Sequence, residues 1–258
     1  MKECGAEQLA ALSRLFSSSV IREMARKGKS PLFARLASQS LLLGSVPRCQ
    51  PVYSLFESAF SMLKREGCRD EYIYKAALMH KILLGKHSLQ TASMLNEFRV
   101  GGCKADLAIL NGTSTVYEVK SERDSLSRLQ RQIDAYAKAF AQVYVIAGEN
   151  HTEAIIGSVP EEVGILRLTS RYQISTLREA VDRRGSTSPA VIFDSIRTEE
   201  ARLILLSHGV KIPVVPNTVL NSVLRQLFVK RLPDRRGRQA SNRMVPGGLG
   251  HVRAPQNG

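Results

Sequence analysis

Three side chains near the middle of the chain, Asp106, Glu118 and Lys120, are of the types that phosphodiester hydrolysis needs. That reaction requires an activated water and positive charge against the phosphoryl and leaving oxygens. A hard divalent cation held by carboxylates supplies both. Asp106 and Glu118 are the candidate ligands, and the backbone carbonyl of Val119 completes the protein's share. Mg²⁺ prefers such an oxygen-rich, partly hydrated arrangement, and Mn²⁺ is expected to substitute. Lys120 is placed to orient the attacking water or to neutralise the transition state. Glu97 is a third acid, suited to a second ion or to positioning water.

These residues meet only if neighbouring strands carry them. A helix is expected from about Ser88 to Leu95, then a strand in which Phe98 and Val100 share one face and Glu97 and Arg99 the other. Gly101-Gly102 reads as a turn, 104–110 as the next strand, and Asn111-Gly112 as a hairpin. In the strand 115–120, Glu118 and Lys120 share a face with Val116, while Tyr117 and Val119 point the other way. Asp106 lies opposite Glu118 if the hairpin loop holds an odd number of residues, and diagonal to it otherwise. A helix capped by Asp124 or Ser125 follows to about Ala141, with Leu126, Leu129, Ile133, Tyr136, Ala137 and Phe140 as its apolar stripe. Arg128 and Arg131 lie off that stripe and are candidates for phosphate contacts, although exposed arginines on any helix look the same. The apolar run 142–147 is the next strand.

Around this centre the chain reads as mainly helical. Residues 1–65 give helices broken near Lys29-Ser30-Pro31, Gly44 and a loop at 47–51. Residues 69–84 form a further helix with Asp70 as N-cap and Gly85 beyond the last apolar residue. On it, Tyr72, Lys75 and Lys81 either touch a phosphate backbone or are core and solvated residues, and His80 reads as structural. Beyond the centre, Ile155-Ile156 and Val163–Leu168 read as strands, and 175–183, 198–208 and 218–230 as helices. Residues 233–258 read as a disordered basic tail. The regions are thus a basic helical N-terminal part (1–87), a core (88–168), a helical part (169–232) and the tail.

Charge divides in the same way. Residues 1–87 carry 14 Lys/Arg against 7 Asp/Glu, residues 88–168 carry 8 against 10, and residues 169–258 carry 15 against 6. A mildly acidic centre between basic flanks suits a cation in the middle and a polyanion around it. The apolar runs are too short to span a bilayer, and Glu3 and Glu7 interrupt any signal-peptide layout, so a cytoplasmic protein with no membrane partner is expected. Cys4, Cys49, Cys68 and Cys103 form no CxxC pair and read as reduced thiols.

With Asp106 followed by Glu118-Val119-Lys120, in the order helix, three strands, helix, strand, the centre resembles the PD-(D/E)xK nuclease superfamily. Ala105 stands where the motif has proline, a common departure. Gln132-Ile133-Asp134-Ala135-Tyr136 is similar to the Gln-x-x-x-Tyr element of RecB-like members, in which the glutamine sits near the site. Tyr117 to Asp124 follows the Tyr-Glu-(Val/Ile)-Lys-Ser-Glu-x-Asp pattern of a bacterial group found near mobile elements. The resemblance covers about 88–148. It implies an α/β fold: a restriction-endonuclease-like αβββαβ core with a mixed four-stranded sheet, and helical extensions at both ends. It also implies a Mg²⁺-dependent nuclease acting on DNA, with RNA as the alternative substrate and a homodimer a further option. Asp106, Glu118, Lys120, Glu97 and Gln132 would serve the chemistry, and Lys104, Arg128, Arg131 and Tyr136 the nucleic acid. Asp106→Ala or Lys120→Ala should then remove cleavage and largely spare folding. The alternative is an inactive nuclease fold that binds nucleic acid; a base-reading regulator built on the C-terminal helices is less favoured.

Overall fold

The computed structural model describes residues 5–40, 42–45, 51–65, 68–86 and 91–231. The loop expected at 47–51 lies outside these residues except for Pro51, as do the start of the 88–95 helix, the tail, Cys4 and Cys49. The protein is α/β, with a six-stranded mixed sheet and helices at both ends of the chain. The strands lie in chain order: β1 (Ser93–Val100), β2 (Cys103–Leu110), β3 (Ser114–Lys120), β4 (Gln142–Ala147), β5 (Gly164–Leu168) and β6 (Ile174–Arg178). β1, β2 and β3 pair antiparallel, β3, β4 and β5 parallel, and β6 returns antiparallel on β5.

Both turns of the first three strands follow from glycine. Val100 pairs with Cys103, leaving Gly101 and Gly102, at φ +54° and +77°, as the two-residue loop of a tight hairpin. Leu110 pairs with Ser114, which leaves the three residues Asn111-Gly112-Thr113 with Gly112 at φ +85°. The odd loop decides the register left open by the sequence. Leu107 pairs with Tyr117 as the last pair of this ladder, and Asp106 and Glu118 follow one residue beyond it on their two strands.

Each face of the sheet carries its own core. On one side Leu107, Ile109, Tyr117, Val119 and Ile146 pack against α1 (Ala6–Leu15), α2 (Ser18–Lys27), α3 (Pro31–Gln39), α4 (Leu42–Ser45), α5 (Val52–Leu63) and α6 (Glu71–Leu78). Ser30 caps α3 by accepting from Phe33 N–H at 3.0 Å, with Pro31 in the first turn. Asp70 caps α6 by accepting from Ile73 N–H at 3.2 Å. Tyr72 belongs to this core, its ring stacked on Phe16 at 4.4 Å. α6 continues through a π-helical turn (Met79–Leu83) that carries His80 into α7 (Leu84–Lys86). The other face, with Ala108, Val116, Val145 and Ile165, is covered by α8 (Leu129–Tyr136), α9 (Glu149–Ser158), α10 (Pro189–Asp194), α11 (Thr198–Ser207) and α12 (Asn217–Arg231). Among the described residues no helix is long and apolar enough to cross a membrane. Cys68 and Cys103 are free thiols.

Five expectations change. Ser93 to Leu95 are strand rather than helix, because each pairs across to β2. α8 begins at Leu129 rather than 125, since the Asp124 carboxylate turns back to accept from Ser121 N–H (2.8 Å) and Oγ–H (2.6 Å) instead of capping a helix. Ile155 and Ile156 lie in α9, with Ile155 in the core beside Thr152 and Val159 at helical spacing and Ile156 exposed. The expected helix 175–183 is instead β6 and a loop: the bonds to β5 outweigh a local spacing that suits either state. With β5 and β6 the sheet has six strands rather than the four expected.

Candidate active site

Asp106, Glu118 and Lys120 line one cleft of about 320 Å³, together with Glu71, Gly102, Cys103, Lys104, Val119, Asp124, Arg128, Arg131 and Gln132. The alternation of Leu107 and Ile109 with Ala108 puts Asp106 on the face that carries Val116, and with it Glu118 and Lys120. Leu107 and Ile109 face one core, but Cys103 and Ala105 face the other, so the alternation of β2 shifts at Asp106. On β1 the same shift falls between Leu95 and Phe98, where Glu97 takes a left-handed φ of +56°. Such a backbone at a non-glycine residue costs free energy and persists only where neighbours impose it.

Glu118 and Lys120, at 2% and 4% exposure, are buried. Lys120 Nζ donates to Glu118 Oε1 at 3.0 Å and to Gln132 Oε1 at 2.9 Å, and Gln132 Nε2 donates to the same Glu118 oxygen. Tyr136, fully buried on α8, donates its hydroxyl to Glu118 Oε2 at 2.8 Å and lies 2.9 Å from the Lys104 carbonyl. Burial and the adjacent Glu118 push the Tyr136 phenol well above its ordinary acidity range. One turn of helix separates Gln132 from Tyr136, which lets both grip one carboxylate.

The Asp106 carboxylate accepts from Val119 N–H at 2.8 Å. The Val119 carbonyl leaves the strand on the same edge, as strand geometry requires. Burial, and after it the Glu118 charge, push the Asp106 carboxyl up to about 7, against 3.8 ordinarily. Two carboxylates and one carbonyl make an all-oxygen donor set that could hold a hard divalent cation. Among the described residues, however, no three His, Cys, Asp or Glu side chains gather closely enough to hold an ion by themselves.

The raised Asp106 value has a measurable consequence. The folded protein binds a proton there that the unfolded chain has released, so stability declines as pH rises from about 4 to about 7. Allowing for partial solvent access, the decline is about 2 kcal/mol. Asp106→Asn keeps an acceptor for Val119 N–H and should abolish this part of the pH dependence. Melting temperatures in EDTA between pH 4 and 8 test this, and parallel profiles for both proteins would refute it.

Several residues stand where the sequence reading placed them, and two do not. Gln132, Arg128, Arg131 and Lys104 line the cleft, the last three exposed. Glu97 is absent from the lining: its carboxylate meets Lys104 at 3.3 Å on the surface. Tyr136 cannot contact nucleic acid because it is buried; it positions Glu118 instead. Two acids were missed. Glu71 enters from the first turn of α6, where it pairs with Lys75, and its charge also raises the Asp106 value. Asp124 lines the cleft from its turn with Ser121. Glu71 carried only the signal of a first-turn helix acid, and Asp124 read as a helix cap.

Residues 64–242 match the family described as "Bacteriophage P4 protein cII", and the chain belongs to that family. The match takes in the whole sheet and every cleft residue, and leaves out α1 to α5. "Protein cII" of Enterobacteria phage P4 is 31% identical over 105 residues, which is 40% of this chain and 39% of the phage protein. The alignment therefore spans about two fifths of that relative's length. No solved structure matches the chain.

Proposed function

We propose that the cleft is the active site of a metal-dependent nuclease with a restriction-endonuclease-like core. The observation that carries this reading is the convergence of Asp106, Glu118 and Lys120 on one polar cleft, with both acids drawn out of water beside one another. A buried carboxylate next to another is costly unless a cation or a proton offsets it. Asp106, Glu118 and the Val119 carbonyl would hold Mg²⁺, which when bound polarises a phosphoryl oxygen and activates a water. Gln132 and Tyr136 fix the Glu118 carboxylate. Lys120, held by Glu118 and Gln132, keeps a positive charge in the cleft for the oxygens that gain charge. Arg128, Arg131 and Lys104 meet the backbone of the nucleic acid, DNA in the first instance, at the rim.

A binding module on the same fold is the second reading. It is favoured by the donors that already occupy both Glu118 oxygens. Titration with Mn²⁺ at pH 7.5 separates the two. The nuclease reading expects Mn²⁺ bound by the native protein and weakened at least tenfold in Asp106→Asn. Equal Mn²⁺ affinity, or none in either protein, favours the binding module.

A further inference from the structure

The carboxyl ends of the three parallel strands place a second cation in line with the cleft. Lys120 ends β3 and pairs in register with Ala147, which ends β4; Ala147 pairs in turn with Arg167, one residue before the end of β5. Residues in one row of a parallel sheet point to the same face, so Lys120 and Arg167 flank Ala147 on the face covered by α8 and α9. Two strand spacings separate their backbones, roughly 10 Å, with Ala147 on the strand between them. Ends of parallel strands are where open α/β sheets take up ligands.

Arg167 differs from the other shielded arginines. Arg69 donates to three backbone carbonyls and Arg178 to two. Arg167 is partly buried, and its Nε is shielded from solvent with no partner. A second shielded nitrogen without a partner, His151 Nε2, lies in the first turn of α9, the helix packed on β4 and β5. That turn is joined to the cleft wall, because Asn150 Nδ2 donates to the Glu122 carbonyl at 3.1 Å, between Ser121 and Asp124. An unpartnered, partly desolvated guanidinium is costly unless an anion completes it, and its planar fork suits a phosphate.

We propose that Arg167 is a further phosphate-binding position, so that a nucleic-acid strand held at the cleft rim continues past the ends of β3, β4 and β5. This rests on the nuclease reading of the cleft and adds the path of the strand. It is tested with the full chain in EDTA, where cleavage is off, by measuring binding of a labelled single-stranded DNA and a labelled duplex against KCl concentration. Arg167→Gln should weaken binding roughly tenfold near 0.1 M salt and reduce the log–log salt slope by about 0.7 to 0.9, the value of one phosphate contact. Arg202→Gln, on an exposed arginine paired with Glu199 on α11, should leave both unchanged. If Arg167→Gln does not fold, Arg167→Met, which keeps the apolar stem, gives the same reading. An unaltered slope and affinity in the Arg167 variant overturns the strand path and leaves the cleft reading standing. Absence of nucleic-acid binding by the native protein overturns both.

Discussion

Lys120→Met should lower the rate of phosphodiester cleavage by 10³-fold or more, with a much smaller change in nucleic-acid affinity. Lys120 Nζ lies within the cleft, bonded to Glu118 and Gln132, where its burial magnifies the effect of an ammonium on a developing negative charge. Arg128, Arg131 and Lys104 remain at the rim, where the proposed reading has them meet the backbone, so the loss should fall on the chemical step. The structure also corrects the expectation that folding is largely spared. Lys120 is 4% exposed and pairs with a Glu118 that is 2% exposed, so removing one partner strands a buried charge. That costs about 3–5 kcal/mol. Single-turnover rates must therefore be read beside melting curves, at a temperature where the variant is folded. A folded variant that cuts within tenfold of the native rate would remove Lys120 from the chemistry.

Arg69→Ala should be the most destabilising single change outside the cleft, at about 3–5 kcal/mol. Arg69 is 1% exposed, and its guanidinium donates to the carbonyls of Lys64 (2.9 Å), Leu168 (3.1 Å) and Ser170 (2.8 Å). It thereby ties the end of α5 to the end of β5. Truncation leaves the buried Leu168 carbonyl without this donor, at about 1–3 kcal/mol, loses the part-buried bonds to Lys64 and Ser170, and opens a cavity as well. Lysine, with one ammonium in place of a fork, cannot reach all three acceptors, so Arg69→Lys should also be costly. Urea unfolding measures both, and a loss under 1 kcal/mol for Arg69→Ala would show that the tie carries little.

What could be read from the sequence was whatever short range determines. The alternation of β3, the glycine turns and the Asp70 cap are local, and the structure has each of them. The meeting of Asp106 with Glu118 depended on the parity of one loop, which Asn111-Gly112 left open until the Leu110–Ser114 pair fixed it. The failures share a different cause. β6 exists because β5 offers it an edge, and the same residues read alone suit a helix. Glu71 reaches the cleft only because α6 packs on the sheet, and Arg69 matters because carbonyls about a hundred residues away accept from it. Tyr136 shows both sides: its apolar spacing correctly implied the core, but its hydroxyl serves Glu118 rather than a ligand. The charge of Glu97 suggests a place in the site, but a left-handed backbone and a surface pairing to Lys104 take it out of the cleft lining.

The central claim is tested most directly by incubating the native chain with labelled DNA and RNA, single-stranded and duplex, in Mg²⁺, Mn²⁺ or EDTA beside Asp106→Asn. The account predicts cleavage of at least one substrate with either metal, none in EDTA, and none by Asp106→Asn although it binds the same substrate. Cleavage that survives in EDTA or in Asp106→Asn, or a native protein that cuts nothing with either metal, would contradict it.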